Sequence, residues 1–347
     1  MKRFLPLVLV LALLAGCAPP LAEPAPASAT QTATPPQALG PSPTPFRPAP
    51  PTDAPSPTLT APPTLTPAPS LTPVRSLVPD FAHIVILIFE NKEYGTVIGN
   101  KSMPNYNRYA ETYTLLNAYF AVTHPSLPNY LSLIGGDTFG IDSDCIKCFV
   151  DQPSLPDLVE QSGRSWKTYQ ERMPEPCYVG DTLHYAQKHN PFIYFTPIRE
   201  NAERCQRSIV PLTQLDADLA ANDLPDFVFI TPDICNSAHD CPVSSADDWL
   251  GTILPKIQNY LDGTGQPYLI VLTWDEGQGD HSCCGLPEKA GGRVATVLIS
   301  PQAKAAFQDD TPYTHYSLLK TISAAWGLPY LGHAADGQTT LMIAPWQ

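Results

Sequence analysis

The chain predicts an α/β domain with a mostly parallel central sheet flanked by helices on both faces. Two observations carry this. Four apolar runs, His83–Phe89, 226–231, 268–273 and 294–299, lack the alternation of a half-exposed strand, so each reads as a strand buried on both sides. Between and after them, residues 212–221, 247–261 and 316–326 show helical spacing of apolar side chains, and strands that alternate with helices build parallel sheets.

In chain order, Lys2 and Arg3 precede an apolar run over residues 4–14, followed by Ala15, Gly16 and Cys17. Residues 1–16 read as a signal peptide, because a spanning helix needs roughly 20 apolar residues. The ending Leu14-Ala15-Gly16-Cys17 resembles the bacterial lipobox, which implies cleavage before Cys17 and lipidation of its thiol. The expectation is an exported lipoprotein, facing the cell surface or periplasm, held to a bacterial membrane by that N-terminal lipid. Residues 17–79 are dominated by Pro, Thr, Ala and Ser without apolar periodicity, too little to offset chain entropy, and read as a disordered, partly polyproline-II tether. Residues 80–347 remain for a single folded domain.

Charge narrows the partners. The formal net charge is −13 over 347 residues, which argues against nucleic acid, whose phosphate backbone draws on clustered Lys and Arg. A small phosphate ester stays open, since a metal can meet its charge locally. Apart from Cys17, eight cysteines stand at 145, 148, 177, 205, 235, 241, 283 and 284, an even number that favours disulfides in an exported chain. Cys235 with Cys241 and Cys177 with Cys205 are the pairings to test first. Cys145-x-x-Cys148 has no second such pair to complete a zinc site.

The residues just past each strand are more informative. The first run ends in Glu90-Asn91. The second ends in Pro232-Asp233, with Asn236, His239 and Asp240 close behind, and the third in Trp274-Asp275-Glu276, with Asp280 and His281. Ligands of open α/β sheets sit beyond the carboxyl ends of the strands, so carboxylates, amides and imidazoles gather at one edge. Carboxylate, amide and hydroxyl oxygens form a hard-donor set for one or more divalent metal ions whose identity the residues leave open. Ser126, in Thr123-His124-Pro125-Ser126-Leu127-Pro128-Asn129-Tyr130, is the candidate nucleophile: two prolines bracket it and are expected to present its hydroxyl outside a regular helix.

Glu90-Asn91, Ser126-Leu127-Pro128-Asn129, Asp275-Glu276 and Asp280-His281, in this order, resemble the phosphoesterase family of bacterial acid phosphatases and phospholipases C, within the alkaline-phosphatase-like superfamily. The stretch Lys188-His189-Asn190-Pro191-Phe192 and residues 233–241 look more like its short secreted acid-phosphatase branch. The resemblance implies a metal held by Glu90, Asn91, Ser126, Asp275 and Glu276, with Ser126 transiently phosphorylated during hydrolysis of a phosphate monoester. His239 and His281 would bind the phosphate or protonate the leaving group. His124, Asn129, His189 and Asp240 would contact substrate, while His315 could instead cap the last helix.

Three departures from the phospholipase branch favour a monoester over a phospholipid headgroup. This chain has Glu90-Asn91-Lys92-Glu93 where that branch shows Glu-Asn-x-Ser, Tyr130 where it has Arg, and only Gly277-Gln278-Gly279 between the Asp-Glu and Asp-His pairs. The alternatives are a phospholipase C or other phosphodiesterase with the same metal and an inactive surface-binding lipoprotein.

Overall fold

The computed structural model describes residues 77–346. The expected signal peptide over 1–16, Cys17 and the expected tether up to residue 76 lie outside the described residues. Within them the strands are β1 His83–Phe89, β2 Thr114–Leu116, β3 Tyr119–Phe120, β4 Trp166–Gln170, β5 Ile209–Pro211, β6 Phe227–Thr231, β7 Tyr268–Trp274, β8 Thr296–Ile299, β9 Phe307–Asp309 and β10 Tyr313–Thr314. Eight form one sheet in the order β5-β4-β6-β1-β7-β8-β2-β9, while β3 and β10 pair as a separate ribbon.

β1 lies between β6 and β7, parallel to both, in a register that aligns Ile86 with Phe229 and Phe89 with Trp274. β4 and β5 extend the parallel array, whereas β8 runs antiparallel to β7 and to β2. Residues 294–299 therefore depart from the expectation of one more strand like the others. An apolar run encodes burial but no direction, and the chain between β7 and β8 forms no helix that could carry it back for a parallel crossover.

Every residue of β1 is buried, as its unbroken apolar run requires. Side chains alternate between sheet faces, so Phe89 and the aligned pair Ile86 and Phe229 point to opposite sides. On one side Phe89 meets Trp249 of helix Val243–Thr264 and Tyr106 of helix Pro104–Thr112. On the other, Phe229 meets Tyr130 of helix Ser126–Gly135 and Phe192, and Phe227, two residues earlier on the same face, meets Trp326 just after helix His315–Ala325. Helices thus cover both faces. The helix expected over 247–261 runs longer, Val243–Thr264, and the other two sit at Gln214–Ala221 and His315–Ala325.

All eight cysteines pair: Cys177 with Cys205, Cys235 with Cys241, Cys145 with Cys148, and the adjacent Cys283 with Cys284.

Candidate active site

The central parallel trio sets the site. Immediately after β1, Glu90 is fully buried, and Asn91 takes a left-handed conformation with φ 55°, which Asn tolerates better than most residues. That turn lets the Asn91 N–H donate to Asp275 Oδ1 at 2.9 Å, while the Asp275 N–H donates to the Phe89 carbonyl at 2.9 Å. The ends of β1 and β7 are thereby stitched together, and the Glu90 N–H, donating to the Ser237 carbonyl at 2.9 Å, ties in the loop after β6. Asp233 accepts the N–H groups of Cys235 and Asn236, so it shapes that loop instead of reaching the site.

Ser126 opens helix Ser126–Gly135 and is only 1% exposed, with Pro125 at the N-cap and Pro128 inside the first turn. This corrects the expectation of a hydroxyl held outside regular helix. Proline is accommodated in a first turn, where N–H groups have no intrahelical partner, so the prolines set the entry of the helix without breaking it. The Ser126 hydroxyl donates to Glu90 Oε2 at 3.2 Å. Asn129, expected to contact substrate, is fully buried and committed: its Oδ1 accepts the Val122 and Thr123 N–H groups, and its Nδ2 donates to the Thr123 and Pro125 carbonyls. It staples the loop that delivers Ser126.

Glu90 and Asp275 form a buried carboxyl pair. Burial pushes Glu90 well above the usual carboxylate range, and the Asp275 charge beside it pushes the same way. Burial likewise raises Asp275, whose Oδ2 is buried without a hydrogen-bond partner. The Tyr130 hydroxyl donates to Glu90 Oε1. Tyr130 lies one helical turn after Ser126 and so shares its face, a signal that was available in the sequence. His189 is buried against this group, its Nε2 3.3 Å from Glu90 Oε2 without hydrogen-bonding geometry and its ring stacked on Tyr130 at 5.5 Å. Burial, with Lys188 and His239 nearby, holds it well below the ordinary imidazole range.

Lys188 brings a cation to the site. Its Nζ lies 2.7 Å from Asp144 Oδ2 and 3.4 Å from His239 Nε2. Asp144 also accepts the Leu127 N–H at 3.0 Å, so one carboxylate ties the ammonium to the first turn of the Ser126 helix. Burial opposes the charge of Lys188, but Asp144, Glu90 and Asp275 outweigh it and raise its pKa. His239 Nδ1 lies 2.6 Å from Asp240 Oδ1, which orients the ring, and its centroid is 5.5 Å from that of His189. The structure brings His239, Asp240 and His189 together. Sequence reasoning gave no role to Lys188, although it stands beside His189 in a motif that carries the family resemblance, and nothing local marks Asp144.

His281 is elsewhere. Its side chain is 71% exposed and pairs with Glu93 at 3.2 Å. Glu93 accepts the N–H groups of Gln278, Gly279 and Arg293 at 3.0, 3.2 and 3.1 Å, folding residues 277–281 into a tight turn that directs His281 to this partner. The short Gly277-Gln278-Gly279 spacer and Glu93 are therefore one feature: a Cβ on Gly277 would sit 2.1 Å from Glu93 Oε2. His124 braces the turn from its other side, with Nδ1 2.6 Å from Glu276 Oε2 and Nε2 3.2 Å from the Gly279 carbonyl. The Glu276 bond raises His124 to about 9, whereas burial, with Asp275 adding to it, raises Glu276 to about 7 even against that bond. With both ring nitrogens engaged, His124 orients Glu276 and has no nitrogen left for substrate. His315, the first residue of its helix, is buried, with Nε2 2.6 Å from the Asp275 carbonyl, so it positions Asp275 while Thr314 serves as the N-cap.

The donor chemistry fits a hard cation. Glu90, Asp275 and the Ser126 hydroxyl converge, Asn91 is stitched beside them, and the unpartnered Asp275 Oδ2 is the kind of buried acceptor a cation satisfies. Among the described residues no group of three or more His, Cys, Asp or Glu side chains gathers as a metal site. Glu276 Oε2 is engaged by His124 Nδ1, so of the three carboxylates only Glu90 and Asp275 face the Ser126 hydroxyl and the Asn91 turn.

The Phosphoesterase family model matches residues 100–329. An acid phosphatase of Aspergillus fumigatus is 35% identical over 73% of this chain, which spans 57% of that relative's length. A phosphatidylinositol-3-phosphatase of Mycobacterium tuberculosis is 30% identical, with 75% of this chain and 81% of that protein covered. The fold is similar to that of an alkaline phosphatase superfamily protein from Vibrio parahaemolyticus, with a TM-score of 0.52 at 13% identity, covering 75% of this chain and 71% of that one. On the family match and the relatives together, this chain belongs to the Phosphoesterase family.

Proposed function

We propose that this chain is an exported, lipid-anchored phosphomonoesterase that works through a phosphoserine at Ser126. The observation that supports it most is the convergence of the buried Ser126 hydroxyl with Glu90, to which it donates at 3.2 Å, and with Asp275 at the ends of β1 and β7. Ser126 Oγ attacks phosphorus in line, its proton leaves to water, and the bond to the leaving oxygen breaks. His239, oriented by Asp240, protonates that oxygen, and water then cleaves the phosphoserine. Lys188 faces the transferring phosphoryl group, where a cation fixed by Asp144 before substrate arrives costs no reorganisation. A divalent cation, held by Glu90, Asp275, Ser126 and Asn91, would supply charge neutralisation for the carboxyl pair and the phosphoryl oxygens.

Hydrolysis of p-nitrophenyl phosphate and of bis-p-nitrophenyl phosphate, with and without chelator, tests this reading. The expected result is chelator-sensitive cleavage of the monoester, lowered about 100-fold by Lys188→Met through loss of a charge contact to the transition state. Cleavage of the diester alone would place the chain among phosphodiesterases, and monoester turnover indifferent to chelator would remove the metal.

A further inference from the structure

The residues that follow β1 each hold a different part of the site. The Glu90 N–H ties in the loop after β6, the Asn91 N–H ties Asp275, and Glu93 folds the turn of residues 277–281. Lys92, between them, reaches the peptide next to His239. We propose that Lys92 is the positioning residue for His239, fixing the direction from which its imidazole meets the leaving oxygen, a role that rests on the reading of His239 as the proton donor.

Lys92 is half-buried, and its Nζ donates to the Ala238 carbonyl at 2.8 Å. That carbonyl belongs to the peptide plane whose nitrogen is the His239 N–H, and a peptide plane resists twisting. Holding the Ala238 oxygen therefore sets where the His239 Cα lies. One residue earlier, the Ser237 carbonyl accepts the Glu90 N–H at 2.9 Å, so two consecutive peptides ahead of His239 are anchored on the segment that carries Glu90.

Ala238 is fully buried with φ 69°, a left-handed conformation that a residue with a Cβ keeps only where its surroundings over-determine it. Here those surroundings are the Lys92 ammonium, the Cys235 carbonyl that accepts the Ala238 N–H at 3.1 Å, and the Cys235–Cys241 disulfide that closes the loop. The turn at Ala238 delivers His239 to Lys188, with Nε2 3.4 Å from the ammonium, and to His189, with ring centroids 5.5 Å apart.

Asp240 and Lys92 restrain different freedoms of the same imidazole. Asp240 holds Nδ1 at 2.6 Å and so sets the rotation of the ring, but it is the next residue of the same loop and moves with it. Lys92 comes from the end of β1, beside the Glu90 that accepts the Ser126 hydroxyl, so it registers the His239 loop against the nucleophile.

Steady-state kcat/KM of the full chain on phenyl phosphate and 2,4-dinitrophenyl phosphate tests the assignment, with Lys92→Met, Lys92→Arg and His239→Asn. Phenol, with a pKa of about 10 like the Tyr side chain, needs a proton to leave, whereas dinitrophenol leaves as its anion. The expected result is that His239→Asn lowers phenyl phosphate hydrolysis about 100-fold and Lys92→Met about tenfold, the scales of a lost proton donor and a lost hydrogen bond, while both keep the dinitrophenyl ester within about threefold. Lys92→Arg, which keeps a cationic donor, is expected to recover most of the phenyl phosphate rate. Should Lys92→Met fail to fold, Lys92→Ala takes its place under the same outcomes. A loss in the Lys92 variant that is equal on both esters, or absent from both, would overturn the positioning role while leaving His239 as the proton donor. An equal loss on both esters in His239→Asn would overturn the reading of His239 and the positioning role with it.

Discussion

Replacing Glu93 by Ala removes the acceptor of three backbone N–H groups at once, those of Gln278, Gly279 and Arg293. The carboxylate is 25% exposed, so water partly replaces it, and about 1–1.5 kcal/mol per bond, the upper half of the net range, gives about 3–4.5 kcal/mol. Freeing the Glu side chain returns about 1.5 kcal/mol of rotamer entropy, leaving a loss of about 1.5–3 kcal/mol. For a domain of this size that corresponds to a fall in Tm of roughly 3–12 °C. The consequence for activity comes through His124, whose Nε2 holds the Gly279 carbonyl while its Nδ1 holds Glu276. A loosened turn releases the Glu276 brace, and kcat is expected to fall while the sheet stays intact. Thermal unfolding followed by circular dichroism, beside p-nitrophenyl phosphate turnover, checks both parts. An Ala variant with unchanged Tm and unchanged kcat would refute the argument that Glu93 builds this edge of the site.

Asp218→Asn addresses pH. Burial pushes the Asp218 carboxyl up, but bonds from Lys167 at 2.6 Å, Tyr169 at 2.6 Å and Gln214 at 2.9 Å more than offset it and leave its pKa lowered. A folded pKa below the unfolded one stabilises fully above the unfolded value and is lost as pH falls, so the variant should lose stability at neutral pH and unfold with a flatter acid limb below about pH 4. Denaturant titrations at several pH values measure this. Gly136→Ala concerns backbone contact: Gly136 has φ 78°, and its Cβ would lie 2.3 Å from the Leu331 carbonyl oxygen. The expected loss is about 3 kcal/mol or more, from strain at a left-handed position joined to a backbone clash, read as a lowered denaturation midpoint.

The fold was legible where burial alone decides it. β1, β6 and β7 were marked by apolar runs, and their carboxyl ends deliver Glu90, the His239 loop and Asp275 to one edge, as the positions of the polar residues foretold. The direction of β8 was not legible, because it depends on the connection and not on the run. Within the site, Glu90 and Asp275 were marked by their positions at strand ends, and Tyr130, given no role, was within reach from its spacing to Ser126. Contacts that join distant segments could not: Asp144 meets both Leu127 and Lys188, and no local pattern distinguishes it from any solvated acid in a loop. His281 shows the converse. A familiar residue pair put it in the site, but shortening the spacer to three residues turned it toward Glu93.

Ser126 as the phosphorylated nucleophile is the claim everything else serves. Its most direct test is to incubate the full chain with a monoester substrate, quench in acid and map covalent phosphate by peptide mass spectrometry. The expected result is one phosphoryl group on the peptide containing Ser126, absent from Ser126→Ala, whose turnover is lost. Phosphate found on no residue, together with near-normal turnover by Ser126→Ala, would contradict the account.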